Sequence, residues 1–143
     1  MRHTLKCRWG HSAQHERPGL GESLYAHSLR QDKIVAATEA CRLWFDELAK
    51  YGVGQANVLT QELWNIKGVQ IGHYTQMVWQ DSYRLGCYVY WCPSMTYVVC
   101  HYGPQGNIFG RLIYEIGYPC RTDQDCNCVN CRCSRNEALC IVQ

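Results

Sequence analysis

The sequence predicts a mixed α+β chain built around one main domain, and three observations carry that reading. With 143 residues, 47% of them apolar, the chain is long enough for one real core and too short for two full-sized ones. Residues 32–51 hold apolar side chains at spacings of three and four, the period of a helix. Residues 87–91 and 97–102 are short runs of β-branched and aromatic residues separated by Cys92-Pro93-Ser94, the pattern of two strands joined by a turn.

Each element can be justified in turn. His11 and His15 stand four apart, but Ser12-Ala13-Gln14 between them and Glu16-Arg17-Pro18-Gly19 after them read as a loop, so they do not form a helical ligand pair. In the long helix Asp32 is the expected cap and Gly52 follows the last turn. Its predicted apolar stripe is Ile34, Ala37, Cys41, Trp44 and Leu48. Glu39 and Asp46 point nearly opposite and are expected to be solvated, whereas Glu47 sits at the stripe's edge, where it can line a cavity. A shorter helix is expected over 69–79, where Ile71, Tyr74, Thr75 and Val78 recur at helical spacing. His101 lies in the second strand, where packing or a local hydrogen bond is its expected role. The following Gly103-Pro104-Gln105-Gly106 lacks the arrangement that cradles phosphates and reads as a turn.

Six of the eleven cysteines fall between Cys120 and Cys140, and this tail has almost no large apolar residue apart from Leu139 and Ile141. The chain therefore divides into a main domain at 1–119 and a cysteine-rich extension at 120–143, the latter held by cross-links. Closely spaced thiols such as Cys126, Cys128, Cys131 and Cys133 can chelate zinc or copper, but this cysteine density points to an oxidising, extracellular setting, where the spacing makes a disulfide knot. The net charge is +2, with the basic residues scattered, which argues against nucleic acid as a partner. No apolar run is long enough to span a bilayer, and Met1 to Gly10 contain no apolar signal-peptide core. There is no metalloprotease HExxH helix, and at this cysteine density a thiol is expected to be bridged and not catalytic, so no catalytic residue is assigned.

Two segments are distinctive together: Gly72-His73-Tyr74-Thr75-Gln76-Met77-Val78-Trp79 with Gly86-Cys87, and Tyr97-Val98-Val99-Cys100-His101-Tyr102-Gly103-Pro104-Gln105-Gly106-Asn107. They resemble the signature segments of the CAP superfamily, which groups cysteine-rich secretory proteins, insect antigen 5 and plant pathogenesis-related proteins of group one. His11-Ser12 with Gly21-Glu22-Ser23-Leu24-Tyr25 is similar to the family's HS…GENLY stretch, with Ser23 in place of its usual Asn, and Trp44 to Leu48 is similar to its WxxEL helix. The tail resembles the ends of secreted nematode venom-allergen-like, or activation-associated, proteins.

The resemblance implies an α-β-α sandwich with a central cleft. It also implies a tetrad of two His and two Glu at His11, Glu22, Glu47 and His73, a set suited to zinc or another divalent cation. It implies pairing of Cys87 with Cys100 and, in some branches, of Cys7 with Cys92, which leaves Cys120, Cys126, Cys128, Cys131, Cys133 and Cys140 to pair among themselves. Cys41 is then the odd one out, expected as a partly buried free thiol or an intermolecular bridge. Family members usually carry a long first helix before the segment matching Cys7, so its absence here is expected to leave apolar surface uncovered. The implied function is that of a secreted, non-enzymatic binding protein. Its expected partner is a host protein or a lipid, with a sterol or fatty acid and a divalent cation as cleft ligands. The alternatives are a metal-dependent hydrolase using Glu22 or Glu47 as base with His11 and His73 as ligands, and a purely structural disulfide-stabilised antigen. The oligomeric state and the particular target are not encoded in any motif.

Overall fold

A computed structural model describes residues 3–142. In chain order it contains β1 (Gly21–His27), α1 (Lys33–Tyr51), β2 (Val58–Leu59), α2 (Gln61–Trp64), α3 (Gly72–Met77), β3 (Arg84–Cys92), β4 (Met95–Gly103), β5 (Arg111–Leu112), β6 (Cys131–Ser134) and β7 (Leu139–Val142). Three short 3-10 turns, Thr4–Lys6, Gln14–Glu16 and Asp123–Asp125, complete the described elements.

The scaffold is an antiparallel sheet in the order β1-β4-β3. β3 and β4 form a hairpin closed by Pro93-Ser94, with Cys92 opposite Met95, and β1 runs along the other side of β4 with Gly21 opposite Tyr102. On one face α1 packs through Ala36, Ala40 and Trp44 against Tyr25, Val98, Cys100 and Tyr102. On the other face Leu24, Tyr97 and Val99 form a second cluster. The N-terminal segment covers it: Tyr97 donates its hydroxyl to the Gly10 carbonyl at 3.1 Å, and the rings of His3 and Trp9 lie about 6 Å from that of Tyr97, at 6.0 and 5.9 Å. A disulfide from Cys7 to Cys92 fastens this segment to the hairpin. The sheet is thus a middle layer between helix and N-terminal segment. A third cluster, with Leu59, Ile71, Tyr74, Trp79 and Ile113, sits where the β2–β5 pair meets α3.

α1 has the expected limits. The Asp32 side chain accepts from the Ile34 and Val35 amides, and Gly52, at φ 70°, closes the last turn. The buried stripe differs from the expected one. It is Ala36, Ala40, Trp44 and Glu47, while Ile34, Val35, Cys41 and Leu48 are exposed. Both stripes have helical spacing and share Trp44. The one carrying two alanines wins because small side chains let α1 approach the sheet closely. The thiol of Cys41, expected to be partly buried on that stripe, accordingly belongs to an exposed residue. Glu39 is not simply solvated either: it accepts from Tyr25 at 2.8 Å and Gln31 at 2.7 Å, whereas Asp46 takes an exposed pair with Arg42.

The helix expected over 69–79 is α3, shorter at Gly72–Met77, because its first amides are held by a side chain from α1 and not by a cap of its own. β1 is a strand that the sequence pattern did not signal. The tail forms the β6–β7 hairpin, tied by Cys120–Cys133, Cys126–Cys140 and Cys128–Cys131, and a further bridge joins Cys87 to Cys100.

Candidate functional site

The four residues of the implied tetrad form two separate His–Glu pairs, His11 with Glu22 and His73 with Glu47. On β1, the Glu22 side chain is fully buried and accepts from His11 Nδ1 at 2.8 Å, from the Ser12 amide at 2.9 Å and from the Ser12 hydroxyl at 2.7 Å. It also accepts from His101 Nε2 at 2.8 Å, and the Arg17 Nε stands 3.7 Å away. Burial pushes its carboxyl up, but the hydrogen bonds from His11, Ser12 and His101 outweigh that and hold it well below the usual carboxylate range. Glu22 is therefore a fixed anion with its oxygens saturated.

The second pair joins the helices. Glu47 of α1 accepts from His73 Nδ1 at 2.6 Å through one oxygen, and from the His73 and Tyr74 amides at 3.0 and 2.9 Å through the other. The carboxylate satisfies the first free N–H groups of α3, which is why a charged side chain is drawn into the packed stripe of α1. Trp44 stacks on the His73 ring at 5.7 Å and fixes its plane.

A carboxylate oxygen accepts, so each Nδ1 is the donor in these pairs, and in the neutral tautomer that this fixes Nε2 is the ring atom left with a lone pair. This is the outer-shell arrangement typical of metal-ligating histidine. A cavity of about 210 Å³ is lined by His11, Arg17, Glu22, Gln76, Gln105 and Asn107, with Gly21 and Gly106 beside them. His73 and Glu47 do not line it; Gln76, later on the same α3, does. Gly21 and Gly106 are required by close approach: a Cβ on Gly21 would stand 1.9 Å from Gln76 Oε1, and one on Gly106 would stand 2.6 Å from the Trp79 ring.

His101 is the site residue that motif reading left out. It lies directly opposite Glu22 in the β1–β4 register, so the signal exists only once β1 is known to be a strand. In the tail, Cys120, Cys126 and Cys140 bring their sulfurs within 4.8 Å of one another. All three are in disulfides, so they offer no thiolate to a metal.

A small α+β sandwich carrying two imidazoles, each held through Nδ1 by a carboxylate, defines a class of protein. The chain belongs to the CAP, or cysteine-rich secretory protein, family, whose model matches residues 1–102. It is 50% identical over 141 residues to the Ancylostoma secreted protein of Ancylostoma caninum and 34% identical over 137 residues to glioma pathogenesis-related protein 1 of Mus musculus. These alignments cover 98% and 91% of this chain but only 32% and 49% of those proteins, so the chain spans a third to a half of their length. Among solved structures it resembles Na-ASP-1, with a TM-score of 0.88 at 50% identity over 97% of this chain and 34% of that one. It also resembles NaASP2 determined with Zn2+, with a TM-score of 0.85 at 45% identity over 98% and 69% of the two chains.

Proposed function

We propose that the chain is a secreted CAP-domain protein that acts by binding, as a host-interaction factor, and that its cleft takes a divalent cation such as zinc through Nε2 of His11 and His73. The observation that carries the cation is the shared state of the two histidines, each anchored through Nδ1 by a carboxylate. Two imidazoles fit a borderline ion, with Glu22 and Glu47 orienting the ligands from behind. A bound ion would supply a positive centre that polarises water or an anionic group. Similarity to a structure determined with Zn2+ supports the same reading. The disulfides and the relative named as a secreted protein support an extracellular setting.

The same contacts weigh against the hydrolase. A general base needs a free lone pair and a proton affinity near neutrality. Glu22 carries four hydrogen bonds and Glu47 three. A sterol or fatty acid in this cleft is less well supported, since about 210 Å³ falls below the roughly 300–1,000 Å³ of ordinary ligand pockets.

Zinc titration by isothermal calorimetry tests the proposal. One ion per chain is expected, with affinity abolished in His11→Ala and His73→Ala and weakened about 10- to 100-fold in Glu22→Gln. Undiminished binding in the double histidine variant would overturn the site.

A further inference from the structure

We propose that the free edge of β3 is a docking surface for an extended acidic peptide segment, which adds to the sheet as a fourth strand. β3 is an outer strand of the β1-β4-β3 sheet and runs for nine residues. The bridged pair Cys87 and Cys100 stand directly opposite with Cα atoms 4.1 Å apart, the close spacing of a non-hydrogen-bonded pair. Leu85, Val89 and Trp91 share the phase of Cys87, so the amides and carbonyls of these four residues point away from β4. Among the described residues none of those outward groups has a hydrogen-bond partner. Leu85 and Trp91 are exposed, at 64% and 39%, and the strand contains no proline, the usual guard of a sheet edge.

Charge selects the occupant. β3 contains no carboxylate and begins at Arg84. At its other end Arg30 and Lys33 lie over the Trp91 ring, 3.9 and 4.7 Å from its centroid. None of the three cations has a carboxylate partner within 4 Å among the described residues. Asp32, next to Lys33, is spent on the first amides of α1, and Asp81 lies in the turn before β3. Antiparallel pairing of two copies would bring Arg84 of one against Arg30 and Lys33 of the other, so like charges oppose a second copy. An extended partner with acidic residues near both ends meets opposite charge at both, while the outward main-chain groups of β3 supply the affinity.

Two labelled nonapeptides, EVTVEVTVE and KVTVKVTVK, acetylated and amidated, test this on the intact disulfide-bonded chain by fluorescence anisotropy, with amide exchange read by NMR. The acidic peptide is expected to bind at least about tenfold tighter than the basic one and to protect the amides of Leu85, Cys87, Val89 and Trp91. Arg30→Glu with Lys33→Glu should cut its affinity about tenfold or more. Val89→Pro, which removes an outward amide that β4 does not use, should abolish binding with the native amide spectrum of β1 and β4 retained. Equal binding of the two peptides, or no edge protection at about 1 mM peptide, overturns the proposal. So does a concentration-dependent dimer by sedimentation with the edge amides already protected.

Discussion

At the scale of single residues, Glu47 and Gly106 have the sharpest roles. Glu47 at once caps α3 and orients His73. Glu47→Ala strands two amides and an imidazole, and urea denaturation should show a loss of about 3 kcal/mol, with Glu47→Gln losing about half of that. Gly106→Ala should cost about 1–3 kcal/mol, because the Trp79 ring that its Cβ would strike is itself 2% exposed and has no room to withdraw. The residue types of the tetrad were legible in the sequence through the resemblance of three short stretches, around His11 and Glu22, around Glu47 and around His73. Their pairing was not, since it depends on which atoms α1 and β1 bring within 3 Å. His101 was missed for a related reason: in β4 both Tyr97 and Val98 are buried, on opposite faces, so the alternation that would set His101 apart is hidden.

At the scale of elements, α1 and the β3–β4 hairpin could be read from capping residues, period and the Pro93-Ser94 turn. The phase of α1 could not, because two stripes fit the same period and only the partner surface decides between them. β1 was silent because Ser23, Leu24 and Tyr25 are all buried in succession, giving no period of two. The link between α1 and β1 makes a pH prediction. Hydrogen bonds from Gln31 and Tyr25 hold the Glu39 carboxyl below its ordinary value. A carboxyl lowered in the folded state adds stability that is fully present above the unfolded value of about 4.3 and is lost as the pH falls below it. Stability measured by denaturant between about pH 6 and 3 should therefore fall less steeply in Glu39→Gln than in the parent chain.

At the scale of the whole molecule, the disulfides divide the work by span. The bridge from Cys7 to Cys92 joins residues 85 apart and ties the N-terminal layer to the sheet, whereas Cys126–Cys140 closes 14 within the tail. Chain-entropy reasoning gives about 4–5 kcal/mol for the first and about 3 kcal/mol for the second. Thermal melts of the Cys7→Ser, Cys92→Ser double variant should show loss of the main transition's stability. The Cys126→Ser, Cys140→Ser variant should leave that transition in place, because the tail makes its own hairpin.

The position of β4 in the middle of the sheet also sets a timetable for biosynthesis. Of the three strands β4 is the last to leave the ribosome, yet β1 has no other neighbour, pairing from Gly21 with Tyr102. The amino-terminal half must wait, unpaired and with its thiol at Cys7 unspent, until the hairpin has emerged. In a non-reducing pulse-chase the Cys87–Cys100 bridge should consequently appear before the Cys7–Cys92 clasp, and a nascent chain halted before β4 is a chain in which β1 has no strand to pair with.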